Sequence, residues 1–125
     1  MEYLLLIHDD ESVYASLSEN ELGSLGQEYG AYTEALKTSG VYRDGRQLQP
    51  SSASTTVTVR DGEQVVTDGP FAETKEQLGG YYVIEAESLD EAVRWAERFA
   101  SPADGTIEVR PIWDLRVDSA AARSS

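Results

Sequence analysis

The apolar residues of this chain follow two different periods. Short runs rich in Leu, Ile, Val and Tyr have the length and content of β-strands. Five such runs predict strands, at Tyr3–His8, Thr55–Arg60, Glu63–Asp68, Gly80–Glu87 and Thr106–Trp113. The first run is apolar without interruption until its last residue, which is typical of a strand buried on both faces.

Two longer segments carry apolar residues at spacings of three and four, which predicts amphipathic helices. One begins at Ser18 and the other at Ser88, and each serine is followed three residues later by a glutamate, as in a capping box. We expect Gly40 to end the first helix and Pro102 to end the second. The predicted buried stripes are Leu22, Leu25, Tyr29, Tyr32 and Leu36 in the first helix and Leu89, Ala92, Val93, Ala96 and Phe99 in the second.

The Asp61-Gly62 step between the second and third predicted strands favours a two-residue hairpin turn, because these residue types tolerate positive φ angles. That turn places Val57 opposite Val66. The remaining segments are less regular. We expect residues 9–17 to form a connector, and Leu48 to begin a short strand that Pro50 interrupts.

The order strand, helix, strands, strand, helix, strand predicts an α+β domain with a ferredoxin-like split βαβ arrangement. In it, an antiparallel sheet carries both helices on one face, and the hairpin enlarges the sheet. The length of 125 residues fits one domain. We assign this domain to residues 1–115 and expect residues 116–125 to be a disordered tail.

Composition narrows the partners and the chemistry. The chain has 23 acidic against 10 basic side chains, a formal net charge of −13. This charge repels phosphate backbones and anionic lipid, so we expect neither nucleic acid nor membrane as a partner. The chain has no cysteine, which excludes disulfides and thiolate chemistry. One histidine among scattered acids does not predict a metal site, and the acidic N-terminal region, unlike a signal peptide, predicts a cytoplasmic protein.

The segment from Asp68 to Tyr82, DGPFAETKEQLGGYY, fits neither regular element. Its glycines and Pro70 disfavour a helix, and its charged run without apolar alternation disfavours a strand. It therefore predicts a shaped loop, and such loops on rigid scaffolds often carry function. The alternative is architectural: Asp68, Gly69 and Pro70 form a turn and Phe71 fills the core.

This segment resembles the signature of the DGPF subfamily of YCII-related proteins, which is named after the tetrapeptide at residues 68–71. The resemblance extends from Tyr3 to Pro111 and includes the runs LLLIH, LQP, TVTVRDG and IEVRP. It implies the dimeric α/β-barrel group, in which two sheets pack face to face, and hence a homodimer. The uninterrupted apolar run Tyr3–Ile7 agrees with this arrangement.

The chain departs from the family at one point. Better-studied YCII-like proteins resemble one another in a His–Asp pair at the proposed active centre, and the corresponding positions here hold Tyr29 and Ser101. The chemistry of that pair is therefore not expected in this chain.

The candidate site residues lie in the loop and at strand ends. We expect Asp68, Glu73, Lys75 and Arg110 as polar ligand contacts, Phe71 and Tyr81 as walls, and Gly69 and Pro70 as the turn that shapes the site. Lys75 and Arg110 favour an anionic ligand, and Asp68 or Glu73 is an expected partner for Arg110. His8 and Glu73 are the candidate proton-transfer groups. For each of these residues the alternative is a solvated or structural role.

Three functions remain open from the sequence. The first is a small-molecule-binding dimer, which as an enzyme would perform acid–base chemistry without a cofactor. The second is an acidic regulatory module for an extracytoplasmic-function sigma factor, because domains similar to DGPF proteins occur beside such factors. The third is a non-catalytic structural dimer.

Overall fold

The computed structural model describes residues 1–99 and 105–115. In chain order its elements are β1 (Glu2–Asp9), α1 (Glu11–Ala15), α2 (Glu19–Thr38), β2 (Tyr42–Gln47), β3 (Thr55–Arg60), β4 (Glu63–Asp68), β5 (Gln77–Glu85), α3 (Leu89–Glu97) and β6 (Thr106–Pro111). The predicted helix stop at Pro102 and the predicted disordered tail at residues 116–125 lie outside the described residues.

Four strands form one antiparallel sheet in the order β2-β5-β1-β6. This is the strand order of a ferredoxin-like fold whose two split βαβ units are β1-α2-β2 and β5-α3-β6. The sheet is centred on β1, where Leu5 pairs with Tyr82 of β5 on one side and with Val109 of β6 on the other. The predicted α+β class and ferredoxin-like arrangement are confirmed.

The β3–β4 hairpin forms a sheet of its own, so the prediction that it enlarges the main sheet is wrong. Its turn is as predicted: Asp61 and Gly62 have φ angles of 51° and 78°, and Val57 lies opposite Val66. A 3-10 turn at Ser51–Ala53 precedes β3, and Gly69-Pro70 follows β4. These interruptions turn the chain away from the main sheet before and after the hairpin, since proline cannot donate to a strand ladder.

Both long helices begin as their serines predict. Ser18 and Glu21 form a complete capping box on α2, and Gly40 follows that helix with a φ of 75°. Ser88 caps α3 by accepting a hydrogen bond from the Glu91 amide. The predicted stripe of α3 is wrong at its first position, because Leu89 is 48% exposed and the buried residues are Ala92 and Trp95.

Two elements differ from the sequence prediction. The predicted connector 9–17 contains the short helix α1, which is capped by Asp10. The irregular segment after Gly40 contains β2, which is an edge strand with the polar sequence YRDGRQ. Its pairing with β5 supplies what its own sequence lacks in strand propensity.

The core lies between the main sheet and helices α2 and α3. Its buried members are Tyr3, Leu5, Tyr32, Leu36, Ile84, Ala86, Ala92 and Trp95. Residues of β1 alternate strictly, so that Leu5 and Ile7 are buried under the helices while Leu4 and Leu6 are only half-buried on the opposite face. A single chain therefore covers one face of β1, not the two expected from its apolar run.

Phe71 is 84% exposed, so the expectation that it fills the core is wrong for the single chain. The loop that carries it follows β4, a strand of the separate hairpin sheet. None of the helices in the described residues is long and apolar enough to cross a membrane.

Candidate functional site

A cavity of about 390 Å³ lies where the end of β1 meets helices α1 and α2 and strands β2 and β5. The residues that matter for its chemistry are Asp9, Tyr14, Tyr29, Thr33, Tyr82 and Phe99. They come from five different segments, and the fold brings them together.

Asp9 is the last residue of β1 and only 4% exposed, the one buried charged side chain in the described residues. Strand alternation explains its burial, because Tyr3, Leu5, Ile7 and Asp9 all face the helices. The next residue, Asp10, caps α1 and turns the chain back over the strand end. As a result, the hydroxyl of Tyr14 donates a hydrogen bond of 2.7 Å to Oδ2 of Asp9.

Tyr29 of α2 extends this contact, with its hydroxyl oxygen 2.9 Å from that of Tyr14. A phenol has one proton, and Tyr14 gives its proton to the Asp9 carboxylate. Tyr29 must therefore donate to Tyr14, and its own lone pairs remain available to accept. Burial and the bonds to Tyr29 and Asp9 raise the pKa of Tyr14, and burial raises the pKa of Tyr29, so both phenols are neutral at physiological pH.

A second hydrogen-bonded pair of hydroxyls begins one turn further along α2. Thr33 of α2 donates to the backbone carbonyl of Tyr29 at 2.9 Å, and its Oγ1 lies 2.6 Å from the hydroxyl of Tyr82. Because the single proton of Thr33 is used, Tyr82 must be the donor to Thr33. Gly45 of β2 makes room for Tyr82, since a Cβ at that position would lie 2.7 Å from Cδ1 of the ring.

Aromatic rings pack against one another along the cavity, next to these hydrogen-bonded hydroxyls. Tyr29 stacks on Phe99 with ring centroids 5.1 Å apart. Tyr82 meets Phe99 and Tyr42 edge to face, with a centroid distance of 6.3 Å in each case. These separations fall in the range that favours aromatic pairs.

Glu11 of α1 lines the cavity and connects α1 to two other segments by hydrogen bonds. Its carboxylate accepts from the backbone N–H of Ser51 at 2.6 Å and from the Ser51 hydroxyl at 2.7 Å. Its own backbone N–H donates to Oε1 of Gln77 at 3.0 Å. On the edge strand β2, Arg46 pairs with Asp44, Nη1 to Oδ1, at 2.8 Å.

The predicted loop residues do not reach this cavity. Asp68, Glu73 and Lys75 are exposed, and none of them lines it. Pro70 and Phe71 line a separate, shallower hollow beside Leu78. The hydrogen bonds of the loop are architectural, with Gly69 donating to the carbonyl of Ser54 at 2.7 Å and accepting from Oγ1 of Thr56 at 2.8 Å, while its φ of 100° requires glycine.

His8 and Arg110 lie on the opposite face of the sheet. Strand alternation turns His8 away from Asp9, and its Nε2 is 3.6 Å from Oε1 of Glu108. Arg110 pairs with the other carboxylate oxygen of Glu108. The expected partners of Arg110, Asp68 and Glu73, are therefore wrong, because β6 brings its own acid two residues away.

Tyr81 is the predicted residue that borders the cavity, but its register opposite Leu6 turns its side chain to the other face of the sheet, where its hydroxyl donates to Oδ2 of Asp44 at 3.2 Å. The neighbouring Tyr82 supplies the ring inside. Sequence reasoning missed Asp9 and Tyr14 because they stand in a segment interpreted as a connector. The period-2 continuation of β1 to Asp9 was the available signal.

The cavity also contains Tyr29, which the resemblance predicts to stand at the position of the histidine in the His–Asp pair. Tyr29 stands there within hydrogen-bond distance of Tyr14, whereas Ser101 lies outside the described residues. Nowhere in residues 1–99 and 105–115 do three or more His, Asp or Glu side chains converge as a metal site would require.

Comparison with known proteins identifies the family. The family model described as the YCII-related domain matches residues 1–116. An uncharacterized protein of Rhizobium meliloti (strain 1021) is 42% identical over 118 residues, which covers 90% of this chain and 92% of the relative. The narrower DGPF assignment stays a prediction. The chain belongs to the YCII-related domain family.

Proposed function

We propose that this protein binds a small molecule in the cavity beside Asp9. The observation that carries the proposal is a cavity of about 390 Å³ that combines an aromatic wall with a buried, hydrogen-bonded carboxylate. Ligand sites typically have volumes of roughly 300–1,000 Å³, apolar walls and a few convergent polar groups. The predicted loop Asp68–Tyr82 is a loop only up to Glu76, because β5 begins at Gln77, and Asp68, Glu73 and Lys75 line neither the cavity nor the shallower hollow.

The same groups define the acid–base chemistry that we propose as the enzymatic form of this function. Asp9 is the proton acceptor in the cavity, and Tyr14 is the neutral donor that orients it. His8 and Glu73 are replaced in this role, because one lies across the sheet and the other lies on the surface. No cofactor is needed for a proton transfer between a bound molecule and a carboxylate.

A thermal-shift screen of a metabolite panel on three proteins tests the proposal. Tyr29→Phe keeps the aromatic ring but removes a polar group from the cavity, while Lys75→Ala alters the loop alone. A ligand at 100 times its dissociation constant adds about 2.7 kcal/mol to the stability of the folded state. We expect hits on the wild type that weaken in Tyr29→Phe and persist in Lys75→Ala.

The opposite pattern, with hits lost in Lys75→Ala and kept in Tyr29→Phe, would move the site to the loop. A broad panel without hits on the wild type would reject small-molecule binding. In that case the sigma-factor interaction, which stays a prediction from the resemblance, would be the next function to test by pull-down.

A further inference from the structure

The polar groups inside the cavity offer acceptors to a ligand. The hydroxyl of Tyr29 donates to Tyr14 and the hydroxyl of Tyr82 donates to Thr33, and each hydroxyl has only one proton to donate. The lone pairs of Tyr29 and Tyr82 therefore remain for a ligand, and Asp9 contributes only acceptor atoms as a carboxylate. A molecule that donates hydrogen bonds suits these three groups better than a molecule that only accepts them.

The charged residues that line the cavity also favour a cationic ligand. Asp9 and Glu11 line it, and Arg46 is the cationic side chain among the lining residues in the described part of the chain. Arg46 pairs in register with Tyr81, so its side chain lies on the sheet face away from the helices, where its guanidinium is paired with Asp44 at 2.8 Å. The interior thus keeps a negative potential, and the formal net charge of −13 adds to it.

The aromatic wall supplies a third contribution. Rings of Tyr29, Phe99 and Tyr82 follow one another at centroid distances of 5.1 and 6.3 Å. The neighbouring Tyr42 ring already has Nζ of Lys37 over it, 5.2 Å from its centroid. The faces of such rings attract cations, and groups of rings are used by proteins to hold ammonium ligands. An apolar substituent on the ligand would pack on the same rings.

Resting on the proposed function, we infer that the ligand is an organic amine, bound as its ammonium ion with an apolar or aromatic body. The ammonium group donates to Asp9 and Tyr29, and the body packs on Phe99 and Tyr82. This reverses the anionic ligand expected from Lys75 and Arg110, which lie outside the cavity.

Three compounds of similar shape test which ligand charge the cavity prefers: phenethylamine, 2-phenylethanol and phenylacetate. Each is titrated into the full-length ¹⁵N-labelled protein, and amide chemical shifts give the site and the affinity. We expect the amine to shift amides of β1, α1 and α2, the alcohol to bind about tenfold more weakly because it lacks a charge-assisted hydrogen bond, and the carboxylate not to bind.

Asp9→Asn and Glu73→Gln form the matched pair of variants. Each removes one negative charge, but Asp9 lies in the cavity and Glu73 on the surface. We expect Asp9→Asn to weaken the amine about tenfold and leave the alcohol unchanged, and Glu73→Gln to change neither. If Asp9→Asn does not fold, Tyr29→Phe takes its place. It removes one hydrogen-bond acceptor and no charge, so we expect it to weaken amine binding by less than about tenfold.

Equal or tighter binding of the alcohol or the carboxylate would overturn the amine assignment and leave the cavity as a ligand site. Equal losses in Asp9→Asn and Glu73→Gln would overturn it too, since the preference would then come from net charge alone. Absence of binding by all three compounds also rejects the amine. The metabolite screen, which contains molecules of every charge, then decides the proposed function separately.

Discussion

At the scale of single residues, the double glycine at the start of β5 contains two positions with different requirements. A Cβ on Gly80 would lie 2.9 Å from the backbone carbonyl oxygen of Arg46, which the β2–β5 ladder holds in place. A Cβ on Gly79 would meet nothing closer than Oδ2 of Asp9 at 3.8 Å. The close strand pairing beside the cavity thus depends on Gly80.

We therefore expect Gly80→Ala to lower the free energy of unfolding by about 1–3 kcal/mol, as overpacking against backbone usually does. Gly79→Ala should change it by less than about 1 kcal/mol, because alanine fits and restricts the unfolded chain. Urea denaturation of the two variants measures both values. Equal losses would show that β2 moves freely away from β5.

Single residues of the site were difficult to predict for a physical reason. Asp9 is buried because it continues the alternation of β1, yet a carboxylate after His8 has the appearance of a strand end. Tyr29 was assigned to the helix stripe, and it does lie on the inward side of α2, but at the cavity. Whether an inward position is packed or open depends on the surrounding elements, which a one-dimensional pattern does not contain.

At the scale of elements, the sequence predicted those helix ends and turns that are stabilised by neighbouring residues. The Ser18 capping box and the Asp61-Gly62 turn satisfy their own backbone groups, so their outcome could be predicted from a few neighbouring residues. Strand β2 is held instead by its distant partner β5. Helix α1 has a local cap in Asp10 but also depends on the distant Gln77, which accepts from the backbone N–H of Glu11. Their sequences alone favour neither element.

The cap of α2 can be tested against a matched serine in the same helix. Ser18→Ala removes the side chain that accepts from the Glu21 amide at 3.2 Å and should cost about 0.5–2 kcal/mol of stability. Ser24 is exposed in the interior of α2, where alanine has the higher helix propensity, so Ser24→Ala should be neutral or slightly stabilising. Thermal denaturation followed by circular dichroism compares them, and equal losses in both variants would contradict a specific role of the Ser18 cap.

At the scale of the whole molecule, buried and half-buried tyrosines should make the folded state less stable at alkaline pH. Burial raises the pKa of Tyr14, Tyr29 and Tyr32 above the ordinary tyrosine value. The folded chain therefore keeps protons that the unfolded chain releases above about pH 10. The contribution of these groups to stability is fully present below that pH and is lost as the pH rises beyond it.

We expect part of the tyrosine ionisation, followed by near-ultraviolet absorbance, to coincide with unfolding followed by circular dichroism. Tyr32→Phe removes one of the titrating groups, so its stability should decrease less steeply above about pH 10 than that of the wild type. Complete ionisation of the tyrosines while the circular dichroism stays native would contradict this prediction.

The second face of the main sheet raises the question of the homodimer. Leu4 and Leu6 of β1 lie beside Val83 and Tyr81 of β5 on the face opposite the helices, and all four are half-buried in a single chain. Exposed apolar side chains in the centre of a sheet favour the face-to-face packing of two sheets. The hairpin is the competing surface, because Val57, Val59 and Val66 lie exposed on one of its faces.

We expect a dimer through the sheet face, and a charge placed on each surface distinguishes the two. Leu6→Glu buries a carboxylate in the sheet contact and should give a monomer, whereas Val66→Glu, at a site 64% exposed in the hairpin, should stay dimeric. Light scattering after size exclusion at micromolar concentration measures the mass.

Because each chain has a formal net charge of −13, added salt should strengthen the dimer by screening the repulsion between chains. A dimer that is lost in Val66→Glu and kept in Leu6→Glu would move the interface to the hairpin, and a monomeric wild type would reject the dimer itself.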